Sequence, residues 1–166
     1  MKALTTKLFE RAMAGREAPE EGLKMWRDAA QAQIDEPVID ACIFARPYSY
    51  GASTLASHTG VLGSMLLRKS REIRAGGLPD HFILAVTADK VIALKRTMKA
   101  GDPVGQPGPE VARWNRSDLK VTWRDGGYLY KVTLESPSEG EKVESSVGKS
   151  PLSESFLELL ADASLN

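Results

Sequence analysis

The densest grouping of side chains able to do chemistry is a set of cations, Arg68, Lys69, Arg71 and Arg74, in the run MLLRKSREIRAGG. Met65, Leu66 and Ile73, with Leu55 and Leu62 before them, fall at helical spacing, so Gly51 to Gly77 reads as one basic amphipathic segment. Such a segment has two uses. Its arginines can satisfy the last carbonyls of their own helix and nearby carboxylates. Alternatively, a positive strip with an apolar edge can lie on an anionic membrane surface or an acidic partner. Arg68, Lys69, Arg71 and Arg74 are therefore the candidate binding residues. Gly60 and Gly63 each weaken a helix by about 1 kcal/mol relative to Ala, so the first half of the segment depends on packing for its order.

Other chemistries lack their residues. A metal centre needs His, Cys or carboxylates at ligand spacing, and His58, His81 and Cys42 are isolated in sequence, so no metal or other cofactor is expected. The nucleophile elbow Gly-x-Ser-x-Gly and the phosphate loop ending in Gly-Lys-Ser/Thr are absent. Gly101, Gly105 and Gly108 sit among prolines rather than before a helix, unlike a dinucleotide fingerprint. With no pairing of nucleophile and base, no catalytic residue is assigned and no enzyme is expected. Trp114, Trp123, Tyr128 and Tyr130 would make a base-stacking platform, with Arg113, Arg116, Lys120 and Arg124 for phosphates. However, Trp123 shares its strand face with Leu119 and Val121, which assigns it to the core.

Composition points the same way. Acidic and basic side chains number 22 each in 166 residues, a formal charge of zero, so the chain has no overall field to steer it to nucleic acid. An electrostatic partner must meet a local patch. Cys42, the only cysteine, lies in an apolar run where a free thiol acts as a small hydrophobe, and a reducing cytoplasm is the expected compartment, with peripheral membrane contact as the alternative. The first residues, broken by Lys7, Glu10 and Arg11, do not read as a secretory signal. No apolar run reaches transmembrane length.

The elements that position these residues are organised around HFILAVTADKVIALKR, His81 to Arg96. Phe82, Leu84 and Val86 alternate with Ile83 and Ala85, so both faces of this strand leave water. Ala88, Asp89 and Lys90 make a polar turn in which the Asp side chain bonds the backbone, and Val91 to Leu94 resume the apolar run. Ahead of it, Leu4 to Met13 has helical spacing. Pro19 opens a second helix with a stripe of Leu23, Trp26, Ala30 and Ile34. The helical pair can cap a sheet face or dock on another subunit, and capping is favoured because exposed Trp26 and Leu23 would leave a large apolar patch. Val38 to Ala45 is a strand. Gly101 to Pro109 reads as an exposed loop, and Val111 to Trp114 as a brief strand. Leu119 to Arg124 and Tyr128 to Leu134 form a hairpin about Asp125-Gly126-Gly127, Lys142 to Val147 follows, and a final helix is capped by Ser150 with Pro151 in its first turn.

This order resembles the pleckstrin-homology-like barrel, including its bacterial members and the related GRAM domains. The likeness is carried by Leu78-Pro79, by the turn Val86-Thr87-Ala88-Asp89-Lys90-Val91, and by the polar corner from Trp114 to Leu119, and it covers Pro37 to Ala163. It implies an α+β fold, a bent antiparallel sheet capped by the C-terminal helix, with residues 1–36 as a helical extension to a domain spanning 37–166. It also implies a binding or assembly module without chemistry of its own, joining a protein partner or a second copy. In eukaryotic relatives, basic residues after the first strand hold phosphoinositide headgroups. The matching loop here, Tyr48 to Gly77, contains Arg68, Lys69, Arg71 and Arg74, but it is far longer and has no compact basic motif beside the first strand. Anionic lipid is the alternative partner.

Overall fold

The computed structural model describes residues 19–47, 65–66, 69, 72–97 and 105–162. The expected helix Leu4 to Met13, the residues Leu55, His58, Leu62, Arg68 and Arg71, and the Leu23 side chain lie outside the described residues.

Helix α1 (Pro19–Gln31) is followed by β1 (Asp40–Ala45), β2 (His81–Val86), β3 (Lys90–Thr97), β4 (Gln106–Asn115), β5 (Lys120–Asp125), β6 (Leu129–Ser136), β7 (Glu141–Gly148) and α2 (Pro151–Asp162). The strands form one antiparallel sheet in the order β4-β3-β2-β1-β7-β6-β5. Two meanders, β1 to β4 and β5 to β7, are joined by a single register pair, Ala45 with Ser146. The Ser146 hydroxyl reinforces that joint by donating to the Arg46 carbonyl at 3.1 Å.

The two meanders share one interior. Leu84, Val86, Val91 and Ala93 belong to the same buried cluster as Val121, Val132, Leu134, Val143 and Val147, and Phe156, Leu157 and Leu160 of α2 complete it. Phe44 stacks on Phe82 at 6.0 Å between ring centroids and meets Phe156 at 5.9 Å. The Trp114 indole N–H donates to the Glu141 carboxylate at 2.9 Å, carrying β4 across to β7. This is an α+β fold in which the last helix is part of the core.

The double burial expected of the central hairpin has a concrete cause. On the outer face, Ile83, Ala85, Ile92 and Leu94 pack with Ala41, Val38, Ala30 and Ile34 under α1, with Trp26 at the margin. Arg96 sits 5.6 Å over the Trp26 ring. The Gln31 amide ends α1 by donating to the carbonyls of Ile34 and Glu36 and accepting from Val38 N–H, at 2.9, 3.0 and 2.8 Å. The second helix thus caps a sheet face as its stripe predicts.

Local signals were mostly kept. Ser150 and Ser153 cap α2 reciprocally, each hydroxyl accepting from the other's backbone N–H at 3.1 and 2.9 Å. Gly127, at φ +92, supplies the left-handed residue of the β5–β6 turn, and its N–H donates to Asp125 at 2.7 Å. Three expectations are corrected. In the β2–β3 turn it is the Thr87 hydroxyl, not Asp89, that accepts from Lys90 N–H, at 3.0 Å. Gln106 to Pro109, read as loop, is the first part of the ten-residue β4. Because β4 is an edge strand whose register shifts twice, Pro107 and Pro109 are accommodated without loss of central ladder bonds.

Candidate functional site

The third correction concerns Trp123. Alternation does place it on the inner face, opposite Val132, but the side chain is 37% exposed rather than core. It lies on β5, the last strand of the sheet, so one side of that backbone has no strand pair among the described residues. Helix α2 packs against β5 and β1, and Trp123 lines a groove with Arg124, Lys131 and Val132. Tyr130, a diagonal neighbour on the same face, is half-buried, and Tyr128 at the hairpin tip is 80% exposed.

Charged groups hold the Tyr130 side chain. The Tyr130 hydroxyl donates to Glu154 of α2, and Lys149 lies 5.1 Å from the Tyr130 ring while pairing with Asp125. The phenol is held above its ordinary value, first by that hydrogen bond, then by lost solvation and the charges of Glu154 and Asp125. Asp125 is held below the usual carboxylate range, chiefly by Lys149 and also by Gly127 N–H. These aromatic side chains stand beside a strand edge that has no strand pair among the described residues.

The candidate cations of the basic segment fare differently from one another. Residues 65–66, 69 and 72–74 are helical, and Gly76, at φ +60, ends that helix with its N–H donating to Ile73 at 3.0 Å. Arg74 donates from Nε to Glu144 of β7 at 2.7 Å, so one arginine satisfies a nearby acid as the structural reading of the segment expects. Lys69 is exposed. Arg68 and Arg71 lie outside the described residues. The apolar stripe is not buried, since Met65, Leu66 and Ile73 are 64%, 69% and 69% exposed.

Arg46, a cation that sequence reasoning passed over, has a structural role. Its guanidinium is buried at the end of β1, donating to the Leu78 carbonyl at 2.6 Å and to Asp80 at 3.0 Å, and so fastens the return of the long connection to β2. Of the cations weighed for a nucleic-acid platform, Arg113 and Arg116 are engaged. Arg113 is held by both oxygens of Glu110, at 2.9 and 2.8 Å, and by Glu36 at 2.9 Å. Arg116 donates to the Leu159 carbonyl near the end of α2 at 3.1 Å, and Trp114 is buried.

No group of three or more His, Cys, Asp or Glu residues that would hold a metal ion occurs among the described residues. The Cys42 thiol is pushed up to about 12, first by lost solvation and then by the charge of Asp40, so it stays protonated at neutral pH and is a poor nucleophile. No helix among the described residues is long and apolar enough to cross a membrane. Comparison of the chain with protein-family models, curated proteins and solved structures gives no match.

Proposed function

We propose that this chain is a non-enzymatic binding module of pleckstrin-homology-like architecture, and that its partner is another protein that adds an extended segment to the free edge of β5. The observation that carries the reading is the exposed Trp123 on β5, a strand with no strand pair on one side among the described residues and with α2 packed against it. In strand addition, main-chain hydrogen bonds supply affinity and alternate side chains supply specificity. Trp123 is the kind of rigid aromatic anchor that dominates such interfaces. The fold reading draws on the order of the two meanders and the terminal helix within their common core. Cys42 as a free thiol suits a reducing compartment such as the cytoplasm.

Charge selects among occupants. Lys120 and Arg124 stand exposed on β5, so two copies paired antiparallel about Thr122 would set like charges against each other. A different protein with acidic residues at alternate positions fits better. The test is selection from a random peptide library against the intact chain. Enriched peptides should be extended and acidic, and should bind Trp123→Ala roughly tenfold or more weakly. Enrichment of peptides indifferent to Trp123→Ala, or of none, refutes the proposal.

A second reading, peripheral binding to anionic lipid, is favoured by one observation: Met65, Leu66 and Ile73 are exposed alongside Lys69. Apolar side chains flanked by cations suit the headgroup boundary. Cosedimentation with anionic but not neutral vesicles, abolished by Leu66→Ser with Ile73→Ser, supports this reading. Equal recovery with both vesicle types excludes it.

A further inference from the structure

The outer face of β5, β6 and β7 carries side chains in register rows. Lys120, Glu135 and Lys142 form one row, Thr122, Thr133 and Glu144 the next, and Arg124, Lys131 and Ser146 the third. In the first row opposite charges face each other, the stabilising arrangement across paired strands. The third row does the reverse. Arg124 and Lys131 are directly opposite, and both are exposed without a hydrogen bond or ion pair among the described residues. Like charges so placed repel, and a sequence chosen only for sheet stability has no reason to put them together.

These cations border a groove of about 390 Å³. Thr122 and Thr133 contribute hydroxyls to it, and Arg74 reaches over from the end of the basic segment. The one carboxylate lining it among the described residues, Glu144, is already neutralised by Arg74 at 2.7 Å. Asp125, the nearest acid along the chain, belongs to the opposite face, where Lys149 holds it. The groove therefore presents two uncompensated positive charges side by side with two hydroxyls.

We infer that this groove binds a phosphate group. A dianion is the ligand that two adjacent cations balance, a guanidinium matches its oxygens with paired N–H donors, and the hydroxyls can donate to the remaining oxygen. Trp123 also lines this groove, so a bound phosphate and a segment added at β5 share this surface, and the phosphate probes are used without peptide. The phosphate can be that of a soluble metabolite or of a lipid headgroup, and the test separates these sources.

The experiment uses the intact chain, with thermal unfolding in inorganic phosphate against chloride at equal ionic strength, and cosedimentation with phosphatidic acid/phosphatidylcholine vesicles against phosphatidylcholine alone. The expected result is a saturable rise of Tm in phosphate, or selective binding to the phosphatidic acid vesicles. The first result alone identifies a soluble ligand, and the second alone a headgroup. Arg124→Gln or Lys131→Gln should weaken either response roughly tenfold or more, since each removes a charge-assisted contact. Each should also raise Tm in chloride by relieving the repulsion. Lys142→Gln, on the same face but in another row, should leave both responses unchanged, and vesicle binding should survive Leu66→Ser with Ile73→Ser. Failure of both probes, or responses retained by both Arg124→Gln and Lys131→Gln, overturns the inference.

Discussion

Replacing Ser145 with alanine is expected to make this protein more stable. Ser145 is on the inner face of β7 between Val143 and Val147 and opposite Val132, all members of the main core, and is itself 2% exposed. Its hydroxyl has no hydrogen-bond partner among the described residues. A buried unsatisfied polar group costs about 1–3 kcal/mol. Removing it opens a void on the order of 10 Å³, a loss of about 0.2 kcal/mol at the usual cavity coefficient. The first effect wins, and Ser145→Ala should gain about 1–2 kcal/mol. At about 2–4 °C per kcal/mol for a protein of this size, Tm should rise by several degrees. Ser145→Val adds bulk to an interior already filled by valines and should fall below Ser145→Ala by about 1–3 kcal/mol. Urea unfolding followed by tryptophan fluorescence measures both variants. A Ser145→Ala protein less stable than the parent by more than about 0.5 kcal/mol would show that the hydroxyl is satisfied in solution, and the reasoning would fail.

Phe156→Ala should cost about 3–5 kcal/mol, because the ring is wholly buried against Phe44, whereas Glu158→Ala on the exposed side of α2 should change urea stability by less than about 0.5 kcal/mol. Equal small effects would show that α2 is not part of the core. Cys42 should resist iodoacetamide at pH 8 in the folded protein and react on unfolding. Its thiol lies above the ordinary 9.0 when folded, so stability is flat with pH below 9.0 and falls as pH rises toward about 12, the unfolded chain ionising first. Urea midpoints between pH 7 and 10, compared with those of Cys42→Ala, would contradict this if the two proteins lose stability in parallel.

The parts of the fold legible in the sequence are those where local chemistry and burial agree. Both faces of β2 and β3 are apolar because α1 covers one and the shared core the other. Ser150 and Asp125-Gly126-Gly127 mark a helix start and a turn that depend on neighbours only a few residues away. The first part of β4 was not legible, since Pro107 and Pro109 signal a loop unless the strand is known to be an edge. Trp123 shows the limit of alternation, which gives the face of a side chain but not how far the covering helix extends over it.

The candidate site was less legible than the fold. A basic run is visible in sequence, yet the tie of Arg74 to Glu144 spans 70 residues, and no local pattern announces it. Arg124 could be weighed with other cations, but its opposition to Lys131 depends on strand register. Met65, Leu66 and Ile73 follow helical spacing faithfully and still face outward, because spacing defines a stripe without saying what meets it.

The central claim is that the outer edge of β5 takes up an added strand. Amide hydrogen exchange across Lys120–Asp125, with and without a saturating selected peptide, tests it most directly. Alternate amides of β5 should exchange at least about tenfold more slowly in the complex, those already bonded to β6 changing little, as for any strand gaining a partner. Unchanged exchange throughout Lys120–Asp125 at saturation would contradict the claim.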